Sequence, residues 1–420
     1  MCVIRGSFVR GPVVDVRRLV QVEAACSGVL ASINSSLINP LLISRGASAF
    51  ALGVYNSGAY FFGFGSGWVG PRIAARFGSV RRATLVCLLL ARLVFIALPL
   101  VLTLTERGAV WLLVALALIW AAGEGLALPL WTSFWTGLAS SQERGRWLAL
   151  RATAATAATA FIMLMLAILL RVASREEILP LAYAIAAVAG LASLVQVRML
   201  FSRAPEPPVP APRSIRAIPD GPARRFLTGV LGFWFGAGLV WPILPAYILN
   251  EHGAPTAYFP AAAVVAAVTG LVTQRFWGRV GDNHGARRVL LLGGLGASLA
   301  PALWSVVPVY WVGFGIEIIA SACWPAHMMG LTLRSIELAE HEAERPNLLA
   351  WTNLAQGTGS FLSPLIASLL VGAVGTVPLL LASAAIRICA TVVLAAPPGV
   401  PFWRWGYASV SSTGSPLGQK

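Results

Sequence analysis

The sequence predicts an all-α membrane protein in which twelve transmembrane helices form two pseudo-symmetric bundles of six. Its 420 residues are 57% hydrophobic and only 11% charged, whereas soluble domains carry about 25% charged residues. Apolar runs of about 20 residues, each long enough to cross the hydrocarbon of a bilayer, follow one another along the chain. A single long polar break separates six of these runs from the other six.

Each transmembrane helix is predicted where an apolar run lies between polar or turn-forming residues. In the first half the runs lie near residues 20–44, 48–70, 83–104, 109–138, 147–170 and 178–200. In the second half they lie near residues 226–249, 257–276, 288–308, 309–333, 347–371 and 376–396.

The polar segments complete the predicted domain organisation. Residues 1–19 form a cytoplasmic arm that lacks the uninterrupted apolar region and cleavage site of a signal peptide. The two bundles, 20–200 and 226–396, are joined by a cytoplasmic linker at 201–225 that contains APEPPVPAPR, which cannot continue a helix. A tail rich in Ser and Gly follows at 397–420.

The basic residues predict how the chain is oriented in the membrane. The net charge is +15, and most Lys and Arg residues lie in the segments that are cytoplasmic if the N-terminus is cytoplasmic. The exceptions outside the spans are Arg45, Arg107, Arg171 and Arg175. This asymmetry is the positive-inside pattern, so both termini are predicted to be cytoplasmic. Nucleic-acid binding is excluded because it needs a folded basic face.

Other sequence features exclude whole classes of function. The five cysteines (Cys2, Cys26, Cys87, Cys323 and Cys389) have no paired spacing, so neither a disulfide framework nor a metal site is predicted. There is no G-x-x-x-x-G-K-[ST] motif for ATP. Four dispersed histidines do not form the cluster that a membrane-embedded enzyme needs. We therefore predict no cofactor and no enzymatic activity.

A repeat within the apolar runs indicates a gene duplication. Residues 124–138 read EGLALPLWTSFWTGL and residues 317–331 read EIIASACWPAHMMGL. Without gaps, Glu124 aligns with Glu317 and Trp131 with Trp324. A carboxylate inside an apolar helix is costly and usually functional, so the alignment predicts two acids near the midplane on a pseudo-symmetry axis.

A loop signature resembles that of the major facilitator superfamily. Gly278-x-x-x-Asp282-x-x-Gly285-x-Arg287-Arg288 lies between spans eight and nine, where that family has its second copy. The first copy, between spans two and three, keeps Gly78 and Arg81 but has Ala75 where the family usually has Asp. The resemblance covers about residues 20–396 and implies a secondary transporter with a cytoplasmic gate at these loops. We expect Asp282 to clamp the start of span five, near Arg144, Arg146 or Arg151, in one gate state.

In this family, spans one, four, seven and ten line the central cavity, which implies a set of candidate residues here. The candidates for the substrate and proton pathway are Glu124, Glu317, Trp131, Trp324, Asn34, Asn39 and Trp241, with Asn353 and Gln356 from span eleven. Aromatic faces accept apolar or cationic groups. An amphipathic or cationic small organic molecule is therefore the expected solute. The protein itself is expected to be a monomer in a bacterial inner membrane.

Three roles remain open for the two acids at this stage. Each can carry a coupling proton, because burial favours the neutral carboxyl group. Each can instead hold a cationic solute, or pair with an arginine inside the membrane, Arg92 or Arg387. Proton-coupled transport is the expected function, with a facilitated-diffusion uniporter or a non-transporting sensor or scaffold of the same fold as alternatives.

Overall fold

The protein is described here from a computed structural model that covers residues 13–104, 109–138, 144–204, 206, 209, 221–339 and 345–396. Within these residues the secondary structure is helical and contains no strand. The helices of the first half are α1 (Val13–Ser44), α2 (Ala49–Phe77), α3 (Val80–Leu104), α4 (Val110–Gly137), α5 (Arg144–Val172) and α6 (Arg175–Arg203).

The second half begins with α7 (Pro222–Val240), which is followed by a helical turn at Leu244–Ala246 and a π-helical turn at Tyr247–Glu251. The helix Tyr258–Trp304 is interrupted at Gly285, and we call its two arms α8 and α9. A 3-10 turn at Tyr310–Val312 leads into α10 (Gly313–Glu337), and α11 (Arg345–Val374) and α12 (Thr376–Leu394) complete the fold.

Local chemistry explains several helix ends. Ser48 and Ser174 cap α2 and α6, each accepting a hydrogen bond from a backbone N–H three residues on. Gly78 ends α2 with φ 61°, and Gly285 separates α8 from α9 with φ 77°. Both glycines belong to the predicted signature loops, and both occupy the left-handed region that other residues adopt at a cost.

The apolar helices confirm the predicted fold class. Ten helices in the described part of the chain are long and apolar enough to cross a membrane. One of them has 47 residues, about 70 Å at 1.5 Å per residue, which is twice the thickness of a bilayer core. Its bend at Gly285 therefore makes two crossings of one helix, which gives eleven. Helix α2, with 29 residues, is also long enough to cross, so the described helices make twelve crossings in all.

Each group of six helices packs around its own core. We call the side of the molecule where α1 begins and α12 ends the terminal face, and the other side the opposite face. The predicted arm, linker and tail lie largely outside the described residues, and α1 begins at Val13, before the predicted boundary at residue 20.

The two halves meet mainly toward the opposite face. Gly53, near the start of α2, packs against Ser368 and Pro364 of α11. Phe61 of α2 contacts Phe361 of α11, with ring centroids 5.3 Å apart. A cavity of about 390 Å³ opens at this face, lined from one half by Ser44 and Arg175 and from the other by residues 249–250 and 254–256.

Candidate functional site

An ion pair lies in the middle of the first half. The guanidinium of Arg92 on α3 contacts the carboxylate of Glu124 on α4. Arg92 also donates from Nε to the carbonyl oxygen of Gly190 on α6, at 3.2 Å. The Arg92 side chain is 2% exposed and that of Glu124 is 31% exposed. Glu124 is therefore the more exposed member of the pair.

A second buried acid, Glu23 on α1, was not among the predicted site residues. Its carboxylate accepts hydrogen bonds from Ser27 at 2.6 Å and from Arg151 of α5 at 3.2 Å. Arg151 also lies over the ring of Trp135, 5.3 Å from its centroid. The sequence does carry a signal, because Glu23 interrupts the apolar run VQVEAAC. Glu23 lies three residues after the predicted start of span one, where a charged residue is common, so the signal is weak.

Together these residues form what we call the N-half charge cluster: Glu23, Arg92, Glu124 and Arg151. The carboxylate of Glu23 interacts electrostatically with Arg92 as well as with Arg151. Arg92 therefore lies within the field of two acids, and the cluster is neutral as a whole. Protonation of either acid leaves an excess positive charge, so a proton exchanged here changes the balance that holds α1, α3, α4 and α5 together.

Glu317 does not lie near the midplane, contrary to the prediction. It lies one turn from the start of α10, where it accepts a hydrogen bond from Ser321 at 2.8 Å and interacts with Tyr258 at the start of α8. Glu124 lies 13 residues before the end of α4 at Gly137, but Glu317 lies 20 residues before the end of α10 at Glu337. At 1.5 Å per residue these depths are about 20 Å and 30 Å from the terminal face.

The predicted repeat is therefore out of register by two helical turns. Helix packing supports the same correction: Gly123 of α4 packs on Cys87 and Ala91 of α3, whereas Cys323 of α10 packs on Gly296 of α9. Aligning the signature loops at Gly78 and Gly285 brings Gly296 level with Cys87 and Ala91. Cys323 is thus equivalent to Gly123, and the residue equivalent to Glu124 is Trp324. A shift of seven residues leaves a side chain on nearly the same helix face, so the gapless alignment places each residue on the correct face but at the wrong depth.

Arg387 does not pair with Glu317 in the described part of the chain, although such a pair was one of the three roles that the sequence left open. Arg387 on α12 donates from Nη2 to the carbonyl oxygen of Ala297 on α9, at 2.6 Å, and its guanidinium lies 5.0 Å from the ring centroid of Phe233. It makes no ion pair with any acid in the described part of the chain. The reason is depth, since Glu317 lies close to the opposite face.

Aromatic side chains line the junction between the halves. The ring of Tyr60 on α2 stacks on Trp241, where α7 ends, with centroids 3.7 Å apart. Trp234 lies 6.1 Å from Trp241 and 5.5 Å from Trp324 of α10. We call Tyr60, Trp234, Trp241 and Trp324 the aromatic wall. Planar rings in edge and stacked contact form a surface suited to a flat apolar group.

Trp131 does not face this wall, although it was predicted to mirror Trp324. It is buried inside the first half, where it packs against Phe134 and Phe201 with centroids 5.8 and 6.0 Å away. Because the register of the repeat is shifted by two turns, Trp131 and Trp324 are not equivalent. The two halves therefore present different chemistry to the space between them.

The predicted amide residues divide into three groups. Asn39 and Asn56 exchange side-chain hydrogen bonds of 3.4 and 3.1 Å between α1 and α2, so they fasten two helices of one half. Asn34 is buried, and its Oδ1 has no hydrogen-bond partner among the described residues. On α11, Gln356 is buried while Asn353 is exposed.

The signature loops lie at the terminal face. Arg287 donates to the carbonyl oxygen of Ala395 at 2.6 Å and so caps the end of α12, while the hydroxyl of Ser79, next to Gly78, donates to Glu206 after α6. Burial and the neighbouring Arg334 and Arg288 lower the pKa of Arg287. Thus both loops fasten the last helix of their half.

The remaining loop residues are open to solvent. Asp282 and Arg288 are exposed, Arg81 is half-buried, and Gly278 has no neighbour within contact distance of an added Cβ. Asp282 makes no ion pair in the described part of the chain, and Arg151, one of its expected partners, is bound to Glu23. The side chains of Arg144 and Arg146 lie outside the described residues.

Comparison with known proteins gives both a sequence match and structural matches. Residues 226–417 match the family model of the Major Facilitator Superfamily. A search of curated protein sequences finds no match.

The structural matches extend over both halves. A D-xylose–proton symporter is 16% identical with a TM-score of 0.67, covering 91% of this chain and 97% of its own. The nucleoside transporter NupG is 11% identical with a TM-score of 0.66, covering 90% and 98%. A bacterial homologue of the human lysosomal transporter Spinster, inward-facing and occupied, is 14% identical with a TM-score of 0.63, covering 91% and 94%.

Proposed function

We propose that this chain belongs to the Major Facilitator Superfamily, whose family model matches residues 226–417, and that it is a secondary active transporter of a small organic solute. The observation that carries the proposal is the junction of two separately packed halves at the aromatic wall, where Tyr60 of one half stacks on Trp241 of the other. Rocking of the halves about this junction exposes the wall to each face in turn.

Proton coupling is the proposed energy source. Glu124 supports it because its carboxylate is partly exposed while its partner Arg92 is buried. A proton taken up by Glu124 removes the charge that holds Arg92, so that Arg92 can shift toward Glu23. Protonation is thereby linked to the positions of the helices that carry these residues. A facilitated-diffusion uniporter is the second candidate, favoured by the fact that both acids of the N-half charge cluster already have arginine partners.

The aromatic wall supports an amphipathic solute. A cationic solute has no free carboxylate to bind it at the aromatic wall. Glu124 pairs with Arg92, and Glu317 lies about 10 Å, or two helical turns, from the level of the wall. We further propose that the protein is a monomer in a bacterial inner membrane with both termini in the cytoplasm. The support for this orientation is the excess of Arg residues at the terminal face.

A glutamine substitution at Glu124 tests proton coupling. Solutes are first found by thermal-shift screening of the purified protein, because a ligand raises apparent stability by mass action. Uptake of a hit into proteoliposomes is then measured with and without a pH gradient. We expect Glu124→Gln to abolish gradient-driven accumulation while solute exchange continues, and Glu317→Gln and the exposed control Arg171→Gln to keep both. Normal gradient-driven accumulation in Glu124→Gln excludes the proposed coupling role of Glu124.

Asp282 is proposed to act in the gate when the terminal face closes. In that state its carboxylate would approach the N-terminus of α5, where backbone N–H groups and arginines favour an anion. We expect Asp282→Asn to slow transport and to shift the protein toward the form with an open terminal face, measured as faster maleimide labelling from that side. The control is Asn283→Asp, at the next exposed position. Unchanged transport and labelling in Asp282→Asn would remove the gate role.

A further inference from the structure

We propose that the solute is an organic anion and that its carboxylate is the counter-ion of Arg387. This inference rests on the proposed transport function and names the class of solute. The proposal follows from an imbalance of buried charge between the two halves, from their structural equivalence, and from unpaired polar atoms around Arg387.

Buried charge is balanced in the first half but not in the second. In the N-half charge cluster two carboxylates face two guanidinium groups. Among the described residues at the corresponding depth of the second half, Arg387 is buried without a carboxylate. Its Nη2 has one carbonyl acceptor, and its Nε has no hydrogen-bond partner. An unpaired charge inside a membrane protein is costly and usually marks a ligand or ion pathway.

The corrected register shows which group is missing. In the first half, Arg92 links the third helix to the sixth through the Gly190 carbonyl and receives the carboxylate of Glu124. In the second half, Arg387 links the equivalent helices, α12 and α9, through the Ala297 carbonyl. The residue equivalent to Glu124 is Trp324, which has no charge. A carboxylate brought by the solute therefore replaces the one that the second half lacks.

His327 supplies a second buried polar group beside Arg387. Its ring stacks on Phe233 with centroids 3.7 Å apart, it is fully buried, and neither ring nitrogen has a hydrogen-bond partner in the described part of the chain. Phe233 thus contacts both His327 and Arg387. A neutral imidazole can donate one N–H to a carboxylate. A cationic ligand is disfavoured here because it meets the Arg387 charge in a low-dielectric setting.

The body of the solute is placed by the aromatic wall. Trp324 lies 6.1 Å from the ring of His327 and 5.5 Å from that of Trp234, so it connects the Arg387 region to the junction between the halves. Trp234 is buried behind Trp324 and supports it, so a planar apolar group packed on Trp324 can direct a carboxylate toward His327 and Arg387. An aromatic carboxylate has both the planar apolar group and the negative charge that this site requires.

Three matched probes test the charge of the ligand. Indole-3-acetate, indole-3-acetamide and tryptamine are titrated against the full-length protein in detergent micelles, with isothermal titration calorimetry and thermal unfolding followed by circular dichroism as readouts. We expect only the acid to bind, and Arg387→Gln to weaken it by about 30-fold or more, as expected when one member of a buried charge pair is removed. Arg171→Gln, an exposed arginine, is the matched control and should bind normally. Equal binding of the amide or amine, or normal binding by Arg387→Gln, overturns the proposal.

A second pair of variants needs no ligand and does not depend on the folding of Arg387→Gln. Trp324→Glu supplies the missing carboxylate from the protein, whereas Trp324→Gln supplies an uncharged group of the same size. We expect Trp324→Glu to unfold at the higher temperature of the two. If the glutamate variant is no more stable than the glutamine variant, Arg387 needs no counter-ion and the proposal is overturned, even if no probe binds.

The same probes separate this inference from the proposed function. Binding of the acid without its flux into proteoliposomes contradicts transport but keeps the anion site. Flux of the amine without flux of the acid keeps transport and overturns the anion assignment. A stabilising effect of chloride alone, which the acid does not displace, assigns the counter-ion to an inorganic anion and likewise overturns it.

Discussion

Replacing Arg92 by glutamine is expected to destabilise the folded protein by about 3 kcal/mol, because removing one member of a buried ion pair leaves the other charge uncompensated. The cost falls at the lower end of the usual range, since Glu124 is 31% exposed and keeps some hydration. Glu23 also loses part of its electrostatic support, although Arg151 remains bound to it. Equilibrium unfolding in detergent micelles measures the loss.

The double variant Arg92→Gln/Glu124→Gln separates pairing from simple loss of volume. With both charges removed, two neutral side chains of similar size face each other, so most of the lost stability should return. The exposed Arg171→Gln serves as the control and should change stability by less than about 0.5 kcal/mol. A double variant as unstable as Arg92→Gln alone would show that the ion pair is not what Arg92 contributes.

The number of crossings and the division into halves could be predicted from the sequence because both depend on local features. Hydrocarbon thickness fixes the length of an apolar run, and the Pro-rich linker cannot be helical. Gly78 and Gly285 could likewise be assigned to turns, and each has the positive φ that a tight turn between two helices uses. The break after α7 was not predicted, although Trp241-Pro242 marks it in the sequence.

The depth of a residue along its helix could not be predicted in the same way. A shift of seven residues keeps a side chain on almost the same helix face, so the Glu and Trp matches of the gapless alignment fix the face of each residue but not its depth. The structure distinguishes the registers by the packing of Gly123 on α3 and of Cys323 on α9, and by the distances of Glu124 and Glu317 from the ends of their helices. For this reason the sequence assigned Glu317 to the midplane, where the structure has Trp324.

Ion-pair partners depend on tertiary contacts that no spacing rule contains. Arg92 meets Glu124 because α3 and α4 are adjacent in both chain and space. Glu23, by contrast, meets Arg151 across more than a hundred residues. Within the described residues the guanidinium of Arg387 meets a backbone carbonyl and the ring of Phe233 but no carboxylate. The sequence could identify charged residues inside spans but not which of them remain without a partner.

Gly53→Val is expected to reduce transport by about 5- to 150-fold with little loss of folding. A Cβ at Gly53 would lie 2.6 Å from the Cβ of Ser368 and 2.9 Å from the carbonyl oxygen of Pro364 on α11. Overpacking at a tight contact costs about 1–3 kcal/mol, and 1–3 kcal/mol changes a conformational equilibrium by about 5- to 150-fold. Because the contact joins the two halves, the cost falls on closure of the opposite face and not on the core of either half.

Matched glycines distinguish closure from folding. Gly372 on α11 has no atom within 4 Å of an added Cβ, so Gly372→Val should transport normally. Gly123 lies between α3 and α4 of one half, with the Cys87 carbonyl oxygen 2.6 Å from an added Cβ, so Gly123→Val should lower the unfolding temperature itself. Gly53→Val should resemble Gly372→Val in unfolding and differ from it only in transport.

The position of the equilibrium can be read at the opposite face. Ser44 lines the cavity between the halves there, so a cysteine at this position should react with a membrane-impermeant maleimide faster when the face is open. We expect Ser44→Cys labelling to speed up in the Gly53→Val background and to stay unchanged in the Gly372→Val background. Slow labelling combined with lost transport would mean that the contact between Gly53 and Ser368 does not control closure. Alternating access would then have to depend on the aromatic contacts between the halves, Tyr60 with Trp241 and Phe61 with Phe361.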